Sequence, residues 1–135
     1  MKAYLGRRYR MSASHRLASP ELNEAENRAV YGKCANPHGH GHNYVVEVVV
    51  GGEVDPVTGM VCDLVELDAM VGREVLEPFD HQNLNTLEPF LDRVPTTENL
   101  CIEVEERLRR ALRPELSLRV RVEETENNFF EVAGE

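Results

Sequence analysis

Between Tyr9 and His15 the chain alternates, with Tyr9, Met11 and Ala13 on one parity, so the stretch AYLGRRYRMSASH predicts a strand. His15 inherits the apolar parity. From Asn43 to Val50, NYVVEVVV is β-branched on both parities, which suits a strand covered on both faces. GGEVDPVTGM then predicts a turn, and Met60 to Asp63 a short strand closing a hairpin. Leu64, Leu67, Val71 and Val75 recur near the helical period, with Pro78 expected to close that helix. A second helix carries Leu100, Val104, Leu108, Ala111 and Leu112 on one stripe, with Thr96 as its cap and Pro114 after its end. LSLRVRVE alternates strictly through Leu116, Leu118, Val120 and Val122, and ETENN turns the chain into FFEV. Ser19 as a cap, Pro20 at the first helical position and Gly32 as a stop allow a further short helix or turn. FDHQNLNTLEPFLDRVP is too rich in Asn, Asp and Pro for regular structure.

Two strands, two helices and two strands make an α+β pattern with antiparallel pairing, and residues 1–135 suit a single domain. So small a sheet has open edges, which predicts self-association. At 41% hydrophobic and 29% charged residues the chain belongs with ordinary globular proteins. No apolar run approaches the roughly 20 residues that span a bilayer, and MKAYLGRRYR lacks the apolar stretch of a signal peptide. No membrane partner and a cytoplasmic location are therefore expected. The net charge of −9 argues against a nucleic-acid surface, but not against a small anionic ligand. Cys34, Cys62 and Cys101 are an odd number without CxxC spacing, so free thiols are expected rather than a disulfide framework.

KCANPHGHGHNY places one cysteine and three alternating histidines in twelve residues, Lys33 to Tyr44. In an extended segment His38, His40 and His42 line one face, and any two can grip one ion. A catalytic zinc site needs three protein ligands and an open position, and His15 is the obvious third donor. Glycine-punctuated histidines also describe a plain loop, and a lone core histidine is commonly satisfied by a carbonyl. Cys34 then has three readings: a small buried hydrophobe, a thiol whose pKa is drawn down by Lys33, imidazoles and a metal, or a fourth ligand in a closed structural site. Asp80 beside His81 is either an ordinary turn or an orienting pair. Glu124 falls on the parity of Leu118, Val120 and Val122, where a carboxylate is costly unless paired. Either a bulge turns it outward or it accepts a donor-rich heterocycle.

SASHRL, GKCANPHGHGHNY, DPVTGMV, FDHQNLN, PTTENL and VEETENN, in this order from about Tyr9 to the C-terminus, resemble the 6-pyruvoyltetrahydropterin synthase family. That family includes the 6-carboxytetrahydropterin synthases of queuosine biosynthesis. The resemblance implies a tunnelling fold (T-fold), an antiparallel four-stranded sheet with two helices on one face. Trimers of it close a β-barrel and two trimers stack into a homohexamer. It further implies that His15, His40 and His42 bind Zn2+, that Cys34 is the catalytic base, and that Asp80 and His81 form a relay supplied by a neighbouring subunit. Glu124 would anchor the pterin, with Thr96, Thr97 and Glu98 near its pocket. Lys33, Arg10 and Arg16 are candidate triphosphate contacts, and His38 is left beside the ligands or in solvent. The implied substrate is 7,8-dihydroneopterin triphosphate, and the Cys34 to His40 spacing resembles the pyruvoyl-forming branch. Rival readings are a 6-carboxytetrahydropterin synthase releasing acetaldehyde and a non-catalytic zinc-binding assembly module. A zinc hydrolase lacks its HExxH-type pattern.

Overall fold

The computed structural model describes residues 1–133. Two strands of equal length, β1 (Lys2–His15) and β2 (His40–Glu53), pair antiparallel along their whole extent, from Lys2 opposite Glu53 to His15 opposite His40. The other edge of β2 pairs with β4 (Ser117–Thr125), which forms a hairpin with β5 (Asn128–Ala133). These are the four antiparallel strands expected. A fifth, the two-residue β3 (Gln82–Asn83), lies parallel to β1, so the sheet is mixed and ordered β3-β1-β2-β4-β5. It arises in the segment expected to be irregular, because the backbone N–H of His81 donates to the Ser12 carbonyl and draws the chain beside β1.

Met60–Asp63 is not a strand. Both edges of β2 are already taken by β1 and β4, so no hairpin partner can dock there. Instead Asp55 folds the loop by accepting from the Val57 amide at 2.7 Å, and Asp63 caps α2 (Leu64–Val71) by accepting from the Val65 amide at 2.8 Å. The helix also runs past Pro78. After α2 a π-helical turn, Gly72–Leu76, leads into α3 (Glu77–Phe79). Proline offers no N–H to the Glu74 carbonyl one turn back. The Arg107 guanidinium donates to it at 3.4 Å instead, which offsets the missing bond.

The early helix α1 (Glu24–Tyr31) begins later than Ser19. Asn23 is its cap, since Glu26 three residues on completes a capping box that Ser19 lacks. Gly32 ends it at φ 59°, as expected. The helix α4 (Thr97–Ala111) starts where predicted, with the Thr96 hydroxyl accepting from the Asn99 amide at 3.1 Å. Its stripe is fully buried at Leu100, Val104 and Leu108, but the expected Ala111 is exposed in the last turn and Leu112 lies half-buried beyond the helix end.

One face of the sheet supplies Met11, Ala13, Tyr44, Val46, Val48, Val50, Leu118, Val120 and Val122 to the core. The helices cover that face with Leu67, Met70, Val71, Val75, Phe79 and the α4 stripe. Each fully buried aliphatic side chain contributes about 1.5–3 kcal/mol, so this single core accounts for the two-layer arrangement. The second face of β2 was expected to be covered too. Val45 and Val49 are only half-buried, and among the described residues neither belongs to the core or to the side chains packed against it.

Candidate active site

Antiparallel register brings the end of β1 to the start of β2, with His15 directly opposite His40. Side chains two apart on a strand share a face, so His40, His42 and Tyr44 point together toward the side that carries His15. The three imidazole rings have centroids 4.6, 5.1 and 4.8 Å apart. One ring nitrogen from each lies within 4.8 Å of the others. Donors around one tetrahedral ion at about 2.0–2.1 Å lie roughly 3.4 Å apart, so small rotamer adjustments suffice for a common ligand.

Protonation fits the same use. The His15 Nδ1–H donates to the Pro95 carbonyl at 2.7 Å, leaving Nε2 unprotonated and 3.0 Å from Nε2 of His40. Burial pushes the pKa values of His15 and His42 below the ordinary 6.5, favouring the neutral, ligating form. Three imidazoles with one ring nitrogen each brought together fit a borderline-soft divalent ion with one position left open.

Beside them stands Glu124, at the irregular end of the β4–β5 ladder where the register shifts between Glu123 and Thr125. The ladder is irregular there, yet the carboxylate is not turned out to solvent. Its side chain is 19% exposed, with Oε2 4.0 Å from His42 Nε2. Thr97 donates its hydroxyl to Oε2 and Asn128 Nδ2 donates to Oε1 at 3.3 Å. Burial opposes the charge on Glu124, but these donors and the imidazoles outweigh it and hold its pKa below the usual 4.5.

The other candidates spread over several elements. Cys34 sits half-buried in the 3₁₀ turn Gly32–Ala35 and is not one of the three convergent donors. Cys62 and Cys101 are likewise free thiols. Burial pushes Cys101 up to about 12, consistent with a small core hydrophobe. Asp80 accepts from the Ser12 amide at 2.8 Å and lies 3.1 Å from Nδ1 of His81. The Ser12 amide is the chief cause of its depressed pKa. His81, held at φ 60°, lines one cavity with His42, Ser12, Ser14 and Asn43. Thr96 is occupied as the α4 cap, and Glu98 is exposed in the first turn. Lys33 and His38 are exposed on the loop. Arg10 is exposed on the parity opposite His15, so one chain does not bring it to the imidazoles. Arg16 donates through Nε to the Ala35 carbonyl at 3.0 Å.

Three participants escaped the sequence reading. Tyr44, whose hydroxyl is 3.4 Å from His15 Nδ1, shares the parity of His42 and was findable by counting in twos. Asn128 lies in the ETENN turn beside Glu124. The Pro95 carbonyl gives no local signal, being 80 residues from the histidine it orients.

A family model described as "6-pyruvoyl tetrahydropterin synthase" matches residues 4–135. The chain is 46% identical over 133 residues to the 6-pyruvoyl tetrahydrobiopterin synthase of Poecilia reticulata, covering 98% of this chain and 90% of that protein. Against the Homo sapiens 6-pyruvoyl tetrahydrobiopterin synthase it is 44% identical over 135 residues, covering 99% and 93%. The solved Caenorhabditis elegans 6-pyruvoyl tetrahydropterin synthase superimposes with a TM-score of 0.95 at 41% identity, covering 100% of this chain and 97% of that one. The chain belongs to the 6-pyruvoyl tetrahydropterin synthase family.

Proposed function

We propose that this protein is a zinc-dependent lyase that converts 7,8-dihydroneopterin triphosphate to 6-pyruvoyltetrahydropterin with elimination of triphosphate. The observation that carries the reading is the pairing of three convergent imidazoles with an ionised, hydrogen-bonded carboxylate 4.0 Å away at Glu124. Such a combination suits a substrate with oxygen ligands at one end and an N–H-rich heterocycle at the other. Full-length similarity to two 6-pyruvoyl tetrahydrobiopterin synthases supports the same choice.

His15, His40 and His42 would hold the zinc, which when bound supplies Lewis acidity to the substrate's side-chain hydroxyls. Glu124 accepts the paired N–H groups of the pterin ring, and Thr97 and Asn128 keep its oxygens aimed. Cys34, as thiolate, takes the proton from the side-chain carbon, and the Asp80–His81 pair moves protons between side-chain positions. Neighbouring subunits complete the site in this reading. The half-buried Val45 and Val49 face of β2 would then be covered on closing a trimeric barrel, two of which stack as a homohexamer. A cytoplasmic location belongs to the same proposal. Among the described residues no helix is long and apolar enough to cross a membrane.

Incubation of zinc-loaded protein with 7,8-dihydroneopterin triphosphate, with mass identification of the pterin, tests the assignment. Expected are 6-pyruvoyltetrahydropterin and inorganic triphosphate. A carboxylated pterin with acetaldehyde would move the protein to the 6-carboxytetrahydropterin synthase branch. Bound zinc without any conversion would leave a non-catalytic module.

A further inference from the structure

The residue after the buried histidine of β1 sits where three segments meet. Arg16 leaves the sheet directly beyond His15, and its peptide is gripped on both sides by one amide side chain. Its N–H donates to Oδ1 of Asn85 at 2.7 Å, and Asn85 Nδ2 donates back to its carbonyl at 2.9 Å. A side-chain amide that satisfies both backbone groups of one residue fixes that residue's orientation much as a strand neighbour would. From this fixed base Arg16 reaches into the thiol-bearing turn, where Nε donates to the Ala35 carbonyl at 3.0 Å. Leu17, the next residue, donates its backbone N–H to the Cys34 carbonyl at 2.8 Å. Two consecutive carbonyls, those of Cys34 and Ala35, are therefore held by the two residues that follow His15.

We propose that Arg16 is a positioning residue for Cys34, fixing the thiol's turn against the strand that carries His15, with Asn85 as the clamp that holds Arg16 in place. This rests on Cys34 being the base of the proposed reaction. It replaces the triphosphate contact that the sequence suggested for Arg16. Within the four-residue turn Gly32–Ala35 only Ala35 is buried; Gly32 and Lys33 are exposed and Cys34 is half-buried. Anchors on the carbonyls of Cys34 and Ala35, which flank the Ala35 Cα, tie the turn to the residues after His15.

The test uses Arg16→Met, which keeps the aliphatic stem without the donor, and Asn85→Ala, which removes the clamp without touching any charge. Two readouts are taken. In steady-state kinetics both variants should lose about ten- to a hundredfold in kcat, the scale expected when a base is displaced by about an ångström. KM should stay within about twofold, because no substrate contact is removed. In metal-free, substrate-free protein, iodoacetamide labelling of Cys34, followed by peptide mass to separate it from Cys62 and Cys101, should change severalfold in rate in both variants. A raised KM with unchanged kcat in Arg16→Met would make Arg16 a substrate contact and overturn the proposal. Unchanged labelling of Cys34, or unchanged kcat, in Asn85→Ala would overturn it as well, even if Arg16→Met fails to fold. If wild-type protein shows no turnover, the proposed function fails, and the labelling arm still decides whether Arg16 and Asn85 hold the Cys34 turn.

Discussion

Thr97 and Glu124, 27 positions apart, are joined by the threonine hydroxyl donating to the glutamate carboxylate. The bond ties the first turn of α4 to the end of β4 and keeps a charge on the otherwise apolar parity of that strand. Thr97 is 2% exposed, so its hydroxyl has no solvent to turn to.

Thr97→Val keeps the shape and removes the donor. A hydrogen bond to a charged group contributes about 1.5–3 kcal/mol. Affinity for a dihydropterin analogue, followed by fluorescence titration, should fall about tenfold or more while zinc content is unchanged. Glu124→Gln should weaken the pterin further, since the heterocycle loses its charged acceptor. Unchanged affinity in both variants would remove this pair from the ligand site.

His15→Ala should leave the protein without stoichiometric zinc by elemental analysis. It also strands the Pro95 carbonyl, at a cost of about 1–3 kcal/mol, so the thermal midpoint should drop as well. His38→Ala, on the exposed loop, should keep both zinc and stability. Full zinc in the His15 variant would exclude that imidazole as a ligand.

Cys34→Ala should retain zinc and bind the pterin, with turnover reduced by about a hundredfold or more if the thiol is the base. Loss of the metal together with the thiol would show a Cys-His-His-His site instead.

Asp80 carries a pH dependence with a definite sign. Its folded pKa lies below the ordinary 3.8, chiefly through the Ser12 amide, so the folded state binds fewer protons than the unfolded chain in that range. The stability it contributes is fully present above pH 3.8 and is lost as pH falls below it through the folded value. Urea midpoints of wild type and Asp80→Asn should therefore differ at pH 6 and converge in acid. Curves that stay parallel to the lowest pH reached would refute the role.

Glu103 is bridged by two guanidinium groups, from Arg93 at 2.9 Å and Arg107 at 2.7 Å. The same groups lie over Phe90 and Phe79, at 5.8 and 4.8 Å. Glu103→Leu leaves two cations without their shared anion, Arg93 on the segment leading to Pro95 and Arg107 on α4 against Phe79. A loss of about 3 kcal/mol is expected, at the lower end for broken buried pairs because the arginines are partly solvated. Calorimetry checks it, and a change below about 1 kcal/mol would mark the triad as ordinary surface charge.

Local chemistry made much of this legible. Period-two alternation located β1 and β4, β-branched composition located β2, and the ETENN turn located the hairpin into β5; alternation also put His15 on the buried side, where it is 1% exposed. Thr96 announced the start of α4, and Gly32 the end of α1. Spacing put His38, His40 and His42 on one face and left open which of them converge; the structure brings His40 and His42 to His15. The misplaced elements failed for reasons beyond any local window. Met60–Asp63 has the composition of a strand but finds both edges of β2 occupied, and Pro78 continues a helix because Arg107, 33 residues from Glu74, supplies the missing donor.

By itself the sequence determined which residue types face the core, because side-chain period and turn chemistry act over a few residues. Only the tertiary structure decided that His15 meets His40 and His42, that Pro95 sets the tautomer of the first, and that Thr97 holds Glu124 inward. Those contacts join positions 25 to 80 apart. They exist only once loop closure and strand register have been paid for by burying the common core.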